Sequence, residues 1–176
     1  MIDSPTEPHS CKGEVVVKDE TRSPIRSFKG RGAFHFCAHK TKPGMKLVCA
    51  SAGNFGQGMA VAALEHGCHL TAFASQTANP LKIDRMRELG ADVVLRETDF
   101  DEAKEAAREF AAIHDALFVE DGAKDEITEG TSSLGYEILD ARPDVSQLVL
   151  PLATELSSVE PPALSRQAAP QHESLG

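Results

Sequence analysis

The amino-acid sequence predicts an α/β fold, a parallel sheet with helical crossovers, and three observations predict it. Short β-branched or apolar runs recur along the chain, each of strand length. Helical patterns separate most of them, and glycine or proline marks most of the junctions. Strands that alternate with helices lie parallel, because each crossover returns the chain to the edge it started from.

The elements follow in order. Residues 14–18 (EVVVK) read as a strand, and Ser27 is placed to cap a helix over 28–39 that Pro43 and Gly44 stop. Residues 46–50 (KLVCA) read as a second strand, followed by the turn SAGNFGQG and a helical pattern after Gly56 up to Gly67. Beyond it come a strand over 69–74, a helix over 80–89 with Pro80 in its first turn, and a strand over 92–95. A helix over 101–114 is announced by Asp99 and Glu102 at capping-box spacing. A strand over 116–119, a helix over 127–141 and a strand over 147–150 close the series. From Ala153 onward the periodicity stops, and bulky apolar residues become scarce after Leu164.

With 176 residues, 41% of them hydrophobic, the chain is expected to bury one core, flanked by loose ends. The net charge is −9 and the basic residues are interleaved with acids, so a nucleic-acid backbone is not an expected partner. No apolar run reaches the length of a membrane span and the opening residues lack a signal-peptide pattern, so a membrane partner is not expected and a cytoplasmic location is. Cys11, Cys37, Cys49 and Cys68 form no CxxC pair, which fits reduced thiols, mostly buried.

Two segments carry chemistry. In SPIRSFKGRGA, Lys29 stands in the first turns of a helix, and a nucleophilic lysine there needs burial or a nearby cation to present a neutral amine; Arg26 and Arg31 are candidates for that cation. In SAGNFGQG, Gly53 and Gly56 let backbone amides converge at a helix N-terminus, an arrangement that suits a carboxylate. Its glycine order is GxxGxG, which weakens a dinucleotide reading, as does the lack of an acid near Ala74 and Ser75.

Together, in this order and about twenty-five residues apart by the spacing of Lys29 and Asn54, the two segments resemble the motifs of fold-type II pyridoxal-phosphate enzymes, the group typified by threonine/serine dehydratases. The resemblance spans residues 14–152. It implies that Lys29 condenses with the aldehyde of pyridoxal 5'-phosphate, that Phe28 packs on the cofactor ring, and that Asn54 bonds its phenolic oxygen. It further implies that Ser51, Ala52, Gly53, Asn54 and Gly56 form the substrate-binding turn, gripping the carboxylate of a small amino acid. The implied activity is β-elimination of a hydroxy amino acid to a 2-oxo acid and ammonia. Ala52 replaces the serine that acts as a second acid-base group in the racemase branch, which favours dehydration, while Phe55 stands where many dehydratases have histidine and leaves the substrate open.

The same resemblance divides the chain into a flexible N-terminus (1–13), a remnant of the large domain carrying the lysine motif (14–45), a small α/β domain (46–152) and a disordered or frame-shifted tail (153–176), with the large domain mostly missing. Where the family has a glycine-rich phosphate loop, this chain has LPLATELSSV, without glycine and with Glu155. A one-base deletion in a glycine-rich coding stretch is able to spell Ala153 to Ser158. Three alternatives stay open: a non-catalytic truncated remnant, a threonine synthase-like or β-replacing enzyme, and a nucleotide-binding module. For the complete enzyme a homo-oligomer also stays open.

The remaining polar residues receive plainer readings. His35 and His39, at i and i+4, make half a metal site that no carboxylate or cysteine clearly completes. The charged run 101–109 is expected to be a solvated helix face, and Glu120 and Asp121 an acidic strand-to-loop turn outside the site.

Overall fold

The computed structural model describes residues 14–96 and 99–150, so the expectations for 1–13 and 153–176 lie outside the described residues. The order is α1 (Lys29–Lys40), β1 (Lys46–Ala50), α2 (Asn54–Glu65), β2 (His69–Ala74), α3 (Pro80–Glu88), β3 (Asp92–Leu95), α4 (Phe100–Ile113), β4 (Leu117–Phe118) and α5 (Asp125–Ala141). All the strands are parallel, in the order β3-β2-β1-β4.

That order is a doubly wound sheet. From β1 the chain steps outward to β2 and β3, then returns to pair β4 on the opposite side of β1. Strand alternation builds a core on each face. Leu47, Cys49, Leu70, Ala72 and Ala74 pack with Phe55, Met59 and Ala63 of α2 and with Ile83 and Met86 of α3. Val48 and Phe73 point the other way, onto Ala107 and Ala111 of α4. Helix α1 lies against both α2 and α5, and its Ala33, Phe36 and Cys37 join the first core together with Ile127 of α5.

Two expected strands do not form. Residues 14–18 and 147–150 are irregular, and no described strand lies beside either one to complete a ladder. A β-branched run without a neighbour cannot satisfy its backbone by pairing, and Val15, Val17 and Val149 are exposed. Helix boundaries also move. Phe28, not Ser27, is the N-cap of α1, although Ser27 Oγ accepts the Lys29 amide at 3.3 Å. Helix α2 starts at Asn54, with Gly53 as its N-cap, inside the turn expected to precede it. Cys37, Cys49 and Cys68 are free and buried.

Helix α1 touches its neighbours backbone to backbone. A Cβ on Gly32 would stand 2.6 Å from the Ile127 carbonyl oxygen, and one on Gly130 would stand 2.6 Å from the Arg31 carbonyl oxygen. Beside this contact Arg31 forms a clamp. Its guanidinium donates to Glu20 (2.8 Å, twice), to Glu137 of α5 (2.7 and 2.8 Å) and to Ser133 (3.0 Å). Lys18 adds a contact to Glu137 at 2.9 Å. Arg31, with Lys18 in support, pulls the Glu137 carboxyl down to about 2.

Two outcomes are expected. Gly32→Ala or Gly130→Ala forces α1 from α5 and lowers stability by about 1–3 kcal/mol, whereas Gly135→Ala, with open space at its Cβ, is neutral or gains up to about 1 kcal/mol; denaturant midpoints decide, and equal losses at all three positions would refute the contact. For the clamp, a depressed carboxyl contributes stability above its ordinary value of 4.5 and loses it as pH falls toward 2. Amide exchange in α5 therefore rises across that window, and Glu137→Gln, already unclamped at neutral pH, shows a smaller acid-induced rise.

Candidate active site

The segment before α1 folds back on itself. Ser27 donates its amide to Ser23 Oγ at 2.9 Å, and the Ser23 hydroxyl donates to the Ser27 carbonyl at 3.1 Å. Arg26 takes a left-handed conformation (φ 54°) that turns the chain into the helix, while Ile25 is buried. Lys29 is then the first residue of α1 and only 8% exposed. Its Nζ lies 5.7 Å from the Phe28 ring centroid and donates to Asp121 Oδ2 at 2.5 Å.

Asp121 follows β4, and the turn 51–53 follows β1. The two strands are neighbours at the point where the winding reverses, so the loops at their carboxyl ends lie side by side at one end of the sheet. Open α/β sheets bind ligands at such reversals. Asp121 is the residue that sequence reasoning left out, because strand order decides whether the two loops meet. Desolvation pushes the neighbouring Cys49 thiol up to about 12, and the charge of Asp121 adds to the effect.

The turn itself is held from inside. Ser51 is 2% exposed, and its Oγ accepts the amides of Gly53 and Gly56, each at 3.2 Å. Two of the converging donors are thus already used. The amides of Asn54 and Phe55, which open α2, have no protein acceptor among the described residues. Gly56 is required by packing: a Cβ there would stand 2.6 Å from Met86 Sδ and 2.8 Å from the Ser51 carbonyl. Gly53 meets nothing closer than 3.9 Å. Asn54 is exposed, Ala52 half-buried and Phe55 buried. Helices α1 and α2 meet where a Cβ on Gly58 would lie 3.3 Å from Gly30 Cα, next to Lys29 on one helix and four residues past Asn54 on the other.

Other expectations resolve differently. Arg31 does not lend its charge to Lys29, because Glu20 and Glu137 neutralise it; Arg26 is exposed. His35 faces Glu129 at 3.4 Å and lies beside His39, with ring centroids 4.1 Å apart and the rings tilted by 32°. Glu120 pairs with Lys104 and Arg108 of α4. Two open depressions of 580 Å³ and 540 Å³ border Arg31 and Phe34, and neither includes Lys29 or Asn54.

Ser51→Ala strands the buried Gly56 amide and is expected to lower stability by about 1–3 kcal/mol, measured as a shift in denaturant midpoint. Ser51→Thr, which keeps an acceptor, is expected to lose less; equal losses would mean that volume, and not the hydrogen bonds, matters at this position.

The comparisons with known proteins agree with this fold. The family model described as "Pyridoxal-phosphate dependent enzyme" matches residues 1–155. An L-threonine ammonia-lyase of Thermotoga maritima is 38% identical over 142 residues, 80% of this chain and 35% of that protein. One of Geobacter sulfurreducens is 33% identical over 78% of this chain and 35% of its own length. In structure, the processed form of threonine deaminase isoform 2 from Solanum lycopersicum superposes with a TM-score of 0.69 at 31% identity, covering 73% of this chain and 36% of that one. The chain thus spans about a third of the length of these relatives. Because the family model covers most of its residues, and the lysine and glycine turn lie within the match, the chain belongs to the pyridoxal-phosphate dependent enzyme family.

Proposed function

We propose that this chain carries the lysine and carboxylate-binding part of an ammonia-lyase acting on a small hydroxy amino acid of the serine or threonine type. The observation that carries the reading is a nearly buried lysine amine at the reversal of a parallel sheet, on a helix in contact with the one whose N-terminus opens the glycine turn. The described residues fit the aldehyde end of pyridoxal phosphate: Lys29 would hold it, Phe28 would lie against the ring, and Asn54 would meet the phenolic oxygen. When bound, the cofactor supplies an electron sink for cleavage at the substrate α-carbon.

This chain's own residues do the rest. The Asn54 and Phe55 amides and the positive end of α2 would receive the substrate carboxylate, with Ser51 keeping the turn in shape. Lys29 Nζ would take the α-proton, after which the β-hydroxyl leaves and the product hydrolyses to a 2-oxo acid and ammonia. Ala52 has no exchangeable side-chain proton, so the face opposite the lysine lacks a second acid and elimination is favoured over racemisation. Ser51, Gly53 and Gly56 belong to this site as the frame of the turn. A cytoplasmic location belongs to the same reading.

A second reading, a remnant without activity, draws support from LPLATELSSV, which has no glycine to cradle a phosphate. One experiment separates the two. Incubation with pyridoxal phosphate, reduction with borohydride and peptide mapping should place the label on Lys29, and Lys29→Ala should abolish it. A protein that takes up no cofactor, or takes it on scattered surface lysines, supports the remnant.

A further inference from the structure

Lys29 sits at an unfavourable end of its helix. The first turn of α1 holds no acidic residue, and the positive pole of the helix repels an ammonium placed there. The compensating charge arrives from 92 positions away in sequence, as Asp121 beyond β4. Both side chains are nearly closed to solvent, 10% and 9% exposed, and such a pair is kept only where its charges are well matched.

The groups around the pair leave it isolated. Arg31 is taken by Glu20 and Glu137, Glu120 turns to Lys104 and Arg108 of α4, and the Cys49 thiol of β1, pushed up to about 12, is neutral near pH 7.

We infer that Asp121 is a positioning residue for the reaction: it stabilises the ammonium that forms when Lys29 accepts the substrate's α-proton, and it aims that amine toward the turn at 51–56. The inference rests on the proposed function. In the step concerned, the substrate Cα–H bond would break, the proton would bind the lone pair of Lys29 Nζ, and the electron pair of the broken bond would be held by the electron sink that the cofactor supplies when bound. No oxidant or reductant is needed. The charge gained by nitrogen appears 2.5 Å from the Asp121 carboxylate, where a water-poor setting strengthens the attraction.

Because the Lys29 amine is held on the Asp121 carboxylate by a 2.5 Å contact, loss of that carboxylate has two opposite effects that a purely structural residue would not produce. In cofactor-free full-length protein at pH 7, Lys29 labelling by acetic anhydride, mapped against exposed Lys46, should be about tenfold or more faster in Asp121→Asn than in the wild type, and close to wild type in Asp121→Glu. Cys49 should stay unreactive to a thiol reagent in each variant, which separates release of the amine from unfolding. In cofactor-loaded protein, exchange of the L-serine α-proton with deuterated solvent should slow by about tenfold or more in Asp121→Asn and recover in Asp121→Glu.

Equal labelling of Lys29 in wild type and Asp121→Asn, or unchanged α-proton exchange, would overturn the inference, as would Asp121→Glu behaving like Asp121→Asn. Absence of any Lys29-bound cofactor in the wild type would instead overturn the proposed function, and the acetic anhydride comparison would still score the pair itself.

Discussion

Helix α1 can lie where it does because glycine removes side chains from its two closest contacts. Gly30 meets Gly58 of α2, and Gly32 meets Ile127 and Gly130 of α5. Any side chain at 32 or 130 would enter the partner's backbone, so the helix spacing is set by main-chain atoms and leaves little freedom to shift. The position of the Lys29 amine is a consequence. A lysine has four flexible carbons, and only a helix held this closely, with its first turn over the end of the sheet, can deliver its amine reproducibly to one carboxylate.

The two cations on this stretch serve different ends. Lys29 and Arg31 are two residues apart, which on a helix places them on opposite sides. Arg31 turns outward to join Glu20 and Glu137, fastening the segment before α1 and the helix α5 to one point. Lys29 turns toward the sheet and meets Asp121. The two cations thus have separate partners within a single helical turn, and the positive charge of Arg31 is neutralised by its own carboxylates.

The reversal of strand order gives this pair its setting. Because β4 pairs directly with β1, the glycine turn and Asp121 stand at the carboxyl ends of adjacent strands although they are far apart in sequence. The chain spans about a third of its relatives' length, yet these features all lie within the described residues.

The sequence by itself determined the alternation of elements. The bounds of β1, β2 and β3 follow from their apolar runs, and the lysine and glycine motifs stand at a helix start and a strand-to-helix turn, as their local patterns require. Local information failed where partners matter. The runs 14–18 and 147–150 have strand composition, but a strand exists only beside another strand, and none of the described strands is there. Asp121 looked like an ordinary acidic turn because nothing near it in sequence is basic enough to mark it, apart from Lys124. Only the tertiary structure decided its partner, since burial and the pairing of β4 beside β1 bring it to Lys29, and neither property resides in the residues adjacent to it.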